Sequence, residues 1–270
     1  DSLTRNRLVE EAQDCKPLLR RLLRGRTVER WRPVWDETWI IAIPSSSNQS
    51  WPWSECGDEQ EAEAAFRDIY PSLHKHLKGF EARLRSRQHK GRFWWELRSC
   101  DYYDAIEKPK IVVQRILYHS VYSLDLESHW VNDATILLPT RNLYALAILN
   151  SRVIWWYLFR MWPHMKDEAV RVQKQELMSL PVPEASADLR SKIEALAQQA
   201  YEIAGEDNLA QLFDIEVQMQ HRVIEAFELT NAEVSLIERT LPPRDPLVVL
   251  EKRLRKSQHP STGVELCLSS

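Results

Sequence analysis

Residues 110–138 read KIVVQRILYHSVYSLDLESHWVNDATILL. Three segments within them, 110–116, 120–126 and 130–138, are short, β-branched or aromatic, and separated by polar breaks, the pattern of strands. Phe93–Arg98 has the same character. The period then changes: Leu143, Leu146, Ala147, Val153, Ile154, Tyr157, Leu158 and Met161 follow helical spacing over about 141–161, with Thr140 as the expected cap. The tryptophan pair Trp155-Trp156 on that helix reads as core. Together these predict an α+β fold: a mixed β-sheet domain with flanking helices and an all-helical C-terminal subdomain.

Working towards the N-terminus, residues 1–24 predict a helix with Leu18, Leu19, Leu22 and Leu23 as its stripe and Gly25 as a left-handed cap. Trp39–Ile43 predicts a buried strand closed by Pro44, and 45–57 a polar loop. Asp58 with Glu61 resembles a capping box for a helix through Phe66, Leu73, Leu77 and Leu84, which Pro71 restarts. Towards the C-terminus, Pro181 and Pro183 make a stiff link. Ser186 or Asp188 opens a helix ending at Gly205, a second runs over about 208–228, and Thr230 with Glu233 caps a third. The expected division is 1–43, a helical linker with a first strand; 44–184, the α+β domain; 185–241, an acidic helical subdomain; and 242–270, a loose tail.

Only 6 of the 270 residues are glycine, and neither Gly-rich phosphate-loop pattern can be written anywhere in the chain. The 4 cysteines form no C-x-x-C pair and predict reduced thiols in a cytoplasmic protein. The most apolar run, 143–162, is interrupted by Arg152 and Arg160, so no membrane span is expected. The chain begins at Asp1 rather than Met and reads as a piece of a longer protein or a processed one.

Charge is unevenly spread. Residues 1–175 carry 27 Lys+Arg against 23 Asp+Glu, whereas 176–270 carry 9 against 16, and all 11 Trp fall at or before Trp162. Two basic clusters, 16–32 and 75–98, each run into aromatic residues. Lys and Arg neutralise phosphates, while aromatic faces and Arg forks engage bases, so this half predicts a nucleic-acid surface.

The order of segments resembles a known family. LLRRLLRGRTVERW (18–31) is similar to the linker after the catalytic domain of adenine-specific DNA methyltransferases of the combined restriction–modification class. Residues 70–112, from YPSLHKHLKGF to DAIEKPKIV, resemble the opening of the TaqI-like C-terminal specificity domain. So do WVNDATILLP (130–139), NLYALAILNSRVIWWYLF (142–159) and VQKQELMSLPVP (172–183), and Leu229-Thr230-Asn231-Ala232-Glu233 matches a step in the family's closing helical hairpin. The resemblance covers about residues 10–240. It implies sequence-specific recognition of double-stranded DNA as the specificity domain of an N6-adenine methyltransferase. The catalytic domain would lie N-terminal to this chain and use S-adenosylmethionine. The chain itself lacks an Asn-Pro-Pro-Tyr type motif and a glycine-containing cofactor loop, so it is expected to bind no cofactor and transfer no methyl group alone.

Candidate base readers are Arg92, Trp94, Trp95, Glu96 and Arg98, where Arg can fork onto guanine and Glu can accept from cytosine, together with Gln114 and Arg115. Candidate phosphate contacts are Arg20, Arg21, Arg24, Arg26, Arg30 and Lys90. Two rivals remain. One is a metal-dependent nuclease built on Asp101, Asp104, Glu107, Lys108 and Lys110, although Pro109 interrupts the usual E-x-K arrangement and no metal ligand set is assigned. The other is a protein-interaction scaffold that docks a partner on the acidic helices.

Overall fold

The computed structural model describes residues 1–205 and 208–258. It is about 50% helical with 11% strand, in small mixed sheets, and is therefore α+β. Its contacts group into two units: 1–27, 35–110 and 125–133 form one, and 28–34, 111–124 and 134 onwards the other. The expected borders at 43/44 and 184/185 are not where this division falls.

The first unit opens with α1 (Ser2–Glu11), whose first turn is capped by the Asp1 carboxylate accepting from the Thr4 N–H at 2.7 Å. The helix expected to continue to residue 24 does not. A short 3₁₀ turn, Gln13–Leu18, holds Pro17, and the chain then extends as β1 (Leu19–Leu23). Proline has no N–H for an α-helical ladder. β1 instead pairs antiparallel with β2 (Trp39–Ile41) and parallel with β6 (Trp130–Val131), burying Leu19 and Leu23. Pairing with distant strands thus overrides a leucine stripe that also fits a helix.

Three helices follow in this unit: α2 (Glu59–Ile69), α3 (Pro71–Lys78) and α4 (Glu81–Arg85). Asp58 caps α2 through the Glu61 N–H, and Pro71 takes the first position of α3. Their apolar faces enclose Trp53, Phe66, Leu73, Phe93, Trp94 and Trp95 in one core. Trp95 stacks between Phe93 and Phe66, with ring centroids at 4.9 and 5.2 Å. The short helix α5 (Tyr103–Ile106) completes the unit.

The second unit holds β3 (Lys110–Gln114) from Ile111 onwards, β4 (Ile116–Leu117), β5 (Tyr122–Asp125) as far as Leu124, β7 (Thr135–Leu138) and β8 (Val170–Arg171). One sheet has the order β5-β3-β7, with Val112 opposite Leu137, and a second pairs β4 with β8. The expected strand 130–138 is split, its two ends lying in different sheets. The expected helix 141–161 is also split, into α6 (Leu143–Leu149) and α7 (Arg152–Met161). Asn142, not Thr140, caps the first, and Ser151 caps the second. Trp155 is fully buried in α7.

α8 (Lys174–Met178) leads to α9 (Ala187–Ile203), α10 (Leu209–Ala226) and α11 (Asn231–Arg239). α11 carries the Thr230/Glu233 capping box. Gly205 has φ +84°, the left-handed geometry that glycine adopts without a Cβ clash. The expected loose tail from 242 is corrected over Pro246–Gln258, which form α12, its first turn held by the Asp245 carboxylate. The rest of that expected tail, 259–270, lies outside the described residues. No helix among the described residues is long and apolar enough to cross a membrane.

Candidate nucleic-acid interface

β1 and the turn after it carry a row of arginines in the first unit. Strand alternation sends Arg20 and Arg21 to opposite faces. Arg20 reaches Glu107 at 3.3 Å, and Arg21 reaches Glu127 at 2.8 Å while lying over the Trp35 ring at 4.8 Å. Arg24 and Arg26 converge on Asp36, Arg26 at 3.1 Å. The Thr38 hydroxyl and the Arg24 guanidinium hold the Asp36 carboxyl well below the usual carboxylate range. Arg20, Arg21 and Arg26 are exposed and keep N–H donors facing solvent, so phosphate oxygens can approach them. Lys90 is also exposed and donates to the Arg85 carbonyl at 2.7 Å.

Arg30 does not fit the phosphate role. Its side chain is 11% exposed, and its donors are consumed inside the second unit. They serve both Glu216 oxygens, at 3.1 and 2.5 Å, and the Ser120 and Asn150 carbonyls at 2.8 and 3.0 Å. It is a structural ion pair.

The expected strand Phe93–Arg98 is a turn, closed by the Glu96 N–H donating to the Phe93 carbonyl at 3.1 Å. This corrects three of the five base-reading assignments there. Trp94 and Trp95 are core, and Glu96 is fully buried. The Glu96 carboxylate accepts from the Ser46 N–H at 3.1 Å, the Ser46 hydroxyl, the Trp53 indole at 2.9 Å and the Phe93 N–H at 3.3 Å. A carboxylate enclosed by four donors is not presented to a base. Gly91 is needed beside it, since a Cβ there would lie 2.5 Å from the Glu96 Cβ.

Arg92 and Arg98 flank this turn and are exposed. Arg92 donates to the Ser54 and Cys56 carbonyls at 2.5 and 3.1 Å, and Arg98 to the Tyr102 hydroxyl at 2.9 Å. In the second unit, Gln114 is half-buried and its amide donates to the Val28 carbonyl at 3.1 Å. Arg115 is exposed at the break between β3 and β4, where its backbone carbonyl accepts from the Val172 N–H at 2.9 Å.

Of the two lysines in the nuclease reading, Lys108 is exposed and Lys110 is closed off. Lys110 is fully buried and donates to the Asp125 carboxylate at 2.5 Å and the Ile106 carbonyl at 2.7 Å. The other Asp125 oxygen meets the His129 ring at 2.8 Å. Burial alone would raise Asp125, but His129 and Lys110 hold it below its ordinary value. Among the described residues no group of three or more His, Cys, Asp or Glu is placed to hold a metal ion.

Reading from sequence missed the β4–β8 pair. Ile116 stands opposite Arg171, and both are exposed, while Leu117 and Val170 fill the other face and are fully buried. The signal available was the alternation Val170-Arg171-Val172, an exposed cation between two buried apolar residues.

Three comparisons bear on this arrangement. No curated protein matches the sequence. A solved structure of the type IIL restriction–modification enzyme MmeI in complex with DNA resembles the chain in fold, with a TM-score of 0.52 at 10% identity. The likeness covers 92% of this chain, which spans only 33% of that one. The family model of the TaqI-like C-terminal specificity domain matches residues 20–182, more than half of the sequence. This chain belongs to the TaqI-like C-terminal specificity domain family.

Proposed function

We propose that this chain recognises a short sequence in double-stranded DNA, as the target-recognition part of a restriction–modification enzyme. The observation that carries the reading is its membership of a specificity-domain family across residues 20–182. The exposed arginines of β1 and of the 92–98 turn supply the cationic groups that such a role requires. The DNA-bound state of the structurally similar MmeI is in keeping with it.

The finer reading is that the parent enzyme is an N6-adenine methyltransferase. Its catalytic domain would lie N-terminal to this chain, bind S-adenosylmethionine and act on an adenine that this part selects. On this reading the 270-residue chain alone transfers no methyl group.

The test is titration of the chain with duplex DNA at several salt concentrations. Binding that weakens linearly in log–log form, with a slope set by the number of phosphates neutralised, is the expected result. Absence of duplex binding at low salt would overturn the reading. Transfer of labelled methyl groups from S-adenosylmethionine to DNA by the chain alone would overturn the assignment of catalysis to another domain.

A further inference from the structure

β8 lies between two neighbours. On one side it pairs with β4, and the ladder is extended by the Val172 N–H donating to the Arg115 carbonyl at 2.9 Å. On the other side the Arg171 N–H donates to the Pro163 carbonyl at 3.1 Å, and the Met165 N–H to the Ala169 carbonyl at 2.7 Å. The result is a narrow ribbon with one dry face and one wet face. Ile116 and Arg171 are cross-strand partners, so they project from the same face. Ile116 is 42% exposed, so its apolar side chain stands open on that face. The Arg171 guanidinium makes no hydrogen bond or ion pair with any described residue, unlike Arg20, Arg21, Arg24, Arg26 and Arg30.

The surroundings have the sign that suits a polyanion. Arg244 lies over the exposed ring of Tyr118 at 4.9 Å and donates to the Asp167 carbonyl at 2.9 Å. Arg115 and Lys166 are exposed on segments that border the ribbon, against the carboxylates Asp167 and Glu168 in its turn. In that turn Asp167 and Glu168 both have φ of 59°, a left-handed geometry that costs energy outside glycine.

We propose that the wet face of this ribbon, centred on Arg171 opposite Ile116, enters the major groove of the target duplex and reads bases there. The inference rests on the proposed function and deepens it. The major groove admits a two-stranded β-ribbon, and an arginine without an internal partner can place its fork on guanine O6 and N7. An exposed isoleucine beside it offers the apolar contact that suits a thymine methyl group. Arg244 and Lys166 then face the flanking phosphates.

The test is selection of bound sequences from a random duplex pool by the full 270-residue chain and by the variants Arg171→Ala and Arg171→Lys. The wild type is expected to enrich a motif. Both variants are expected to lose preference at the same one or two adjacent positions, by roughly tenfold to a hundredfold, the value of one bidentate contact. Arg171→Lys keeps the charge without the fork, so its salt dependence should match the wild type. Retention of the wild-type motif by Arg171→Ala would overturn the inference while leaving the proposed function standing. Equal weakening on every sequence would make Arg171 a phosphate contact and also overturn it. A wild type that enriches no sequence would overturn both.

Discussion

Arg30 and Glu216 meet through two parallel contacts, Nε to Oε1 at 3.1 Å and Nη2 to Oε2 at 2.5 Å, although 186 residues separate them. The same carboxylate accepts from the Trp31 indole at 2.7 Å. The carboxylate is 1% exposed, so neither charge can return to water without opening the second unit.

Removing one partner should leave the other charged and buried. Arg30→Ala and Glu216→Ala are each expected to cost about 3–5 kcal/mol. The double variant should cost much less than the sum. Urea unfolding of the four proteins measures this coupling. Additive costs would contradict the pairing.

Glu96 is expected to act on stability and not on base preference. Glu96→Ala leaves the Trp53 indole and the Ser46 and Phe93 N–H groups without their acceptor, and each buried orphan costs about 1–3 kcal/mol. Denaturant midpoints should fall well below wild type. A folded Glu96→Ala protein with unchanged stability and altered sequence preference would restore the base-reading role.

Acidification should weaken the fold in two windows. Burial, then the neighbouring Arg30 guanidinium, push His119 down from 6.5 to about 4. The native state therefore resists a proton that the unfolded chain accepts, and stability falls as pH drops from about 6.5 towards 4. His119→Gln should flatten that window. Burial raises Glu63, but hydrogen bonds from Lys78, His74 and Trp94 outweigh it and bring its value from 4.5 to about 2. Its contribution is present above pH 4.5 and lost as pH falls towards 2, and Glu63→Gln should remove that slope. Unfolding midpoints at a series of pH values test both windows.

The exposed arginines of β1 should separate binding from folding. Arg20→Ala and Arg21→Ala break surface ion pairs, which contribute little to stability. On the proposed function, each should weaken binding about equally on all duplexes and reduce the salt slope by about 1. A change confined to one sequence would make these residues base readers.

Local chemistry was legible in the sequence. The caps at Asp58, Ser186 and Thr230 and the Pro71 helix start follow from side chains within a few residues of the backbone they satisfy, whereas the left-handed glycine expected at Gly25 is found at Gly205. Non-local pairing was not. Leu19–Leu23 becomes a strand because Trp39–Ile41 and Trp130–Val131 lie beside it, which no helical or strand period within 19–23 encodes. The Arg-Phe-Trp-Trp-Glu cluster looked like a base-reading surface because its composition suits one. Whether Glu96 faces in or out is decided by Ser46 and Trp53, 50 and 43 residues away. The Val170-Arg171-Val172 alternation was visible but too short to stand apart from a loop until its partner strand was in place.

Selection from a random duplex pool by the wild-type chain addresses the central claim most directly. Successive rounds are expected to converge on one short motif, bound tighter than scrambled duplex by a margin that persists when salt is raised. Salt-sensitive binding with no sequence enriched over the starting pool would contradict it, leaving a protein that holds DNA through its basic clusters without reading it.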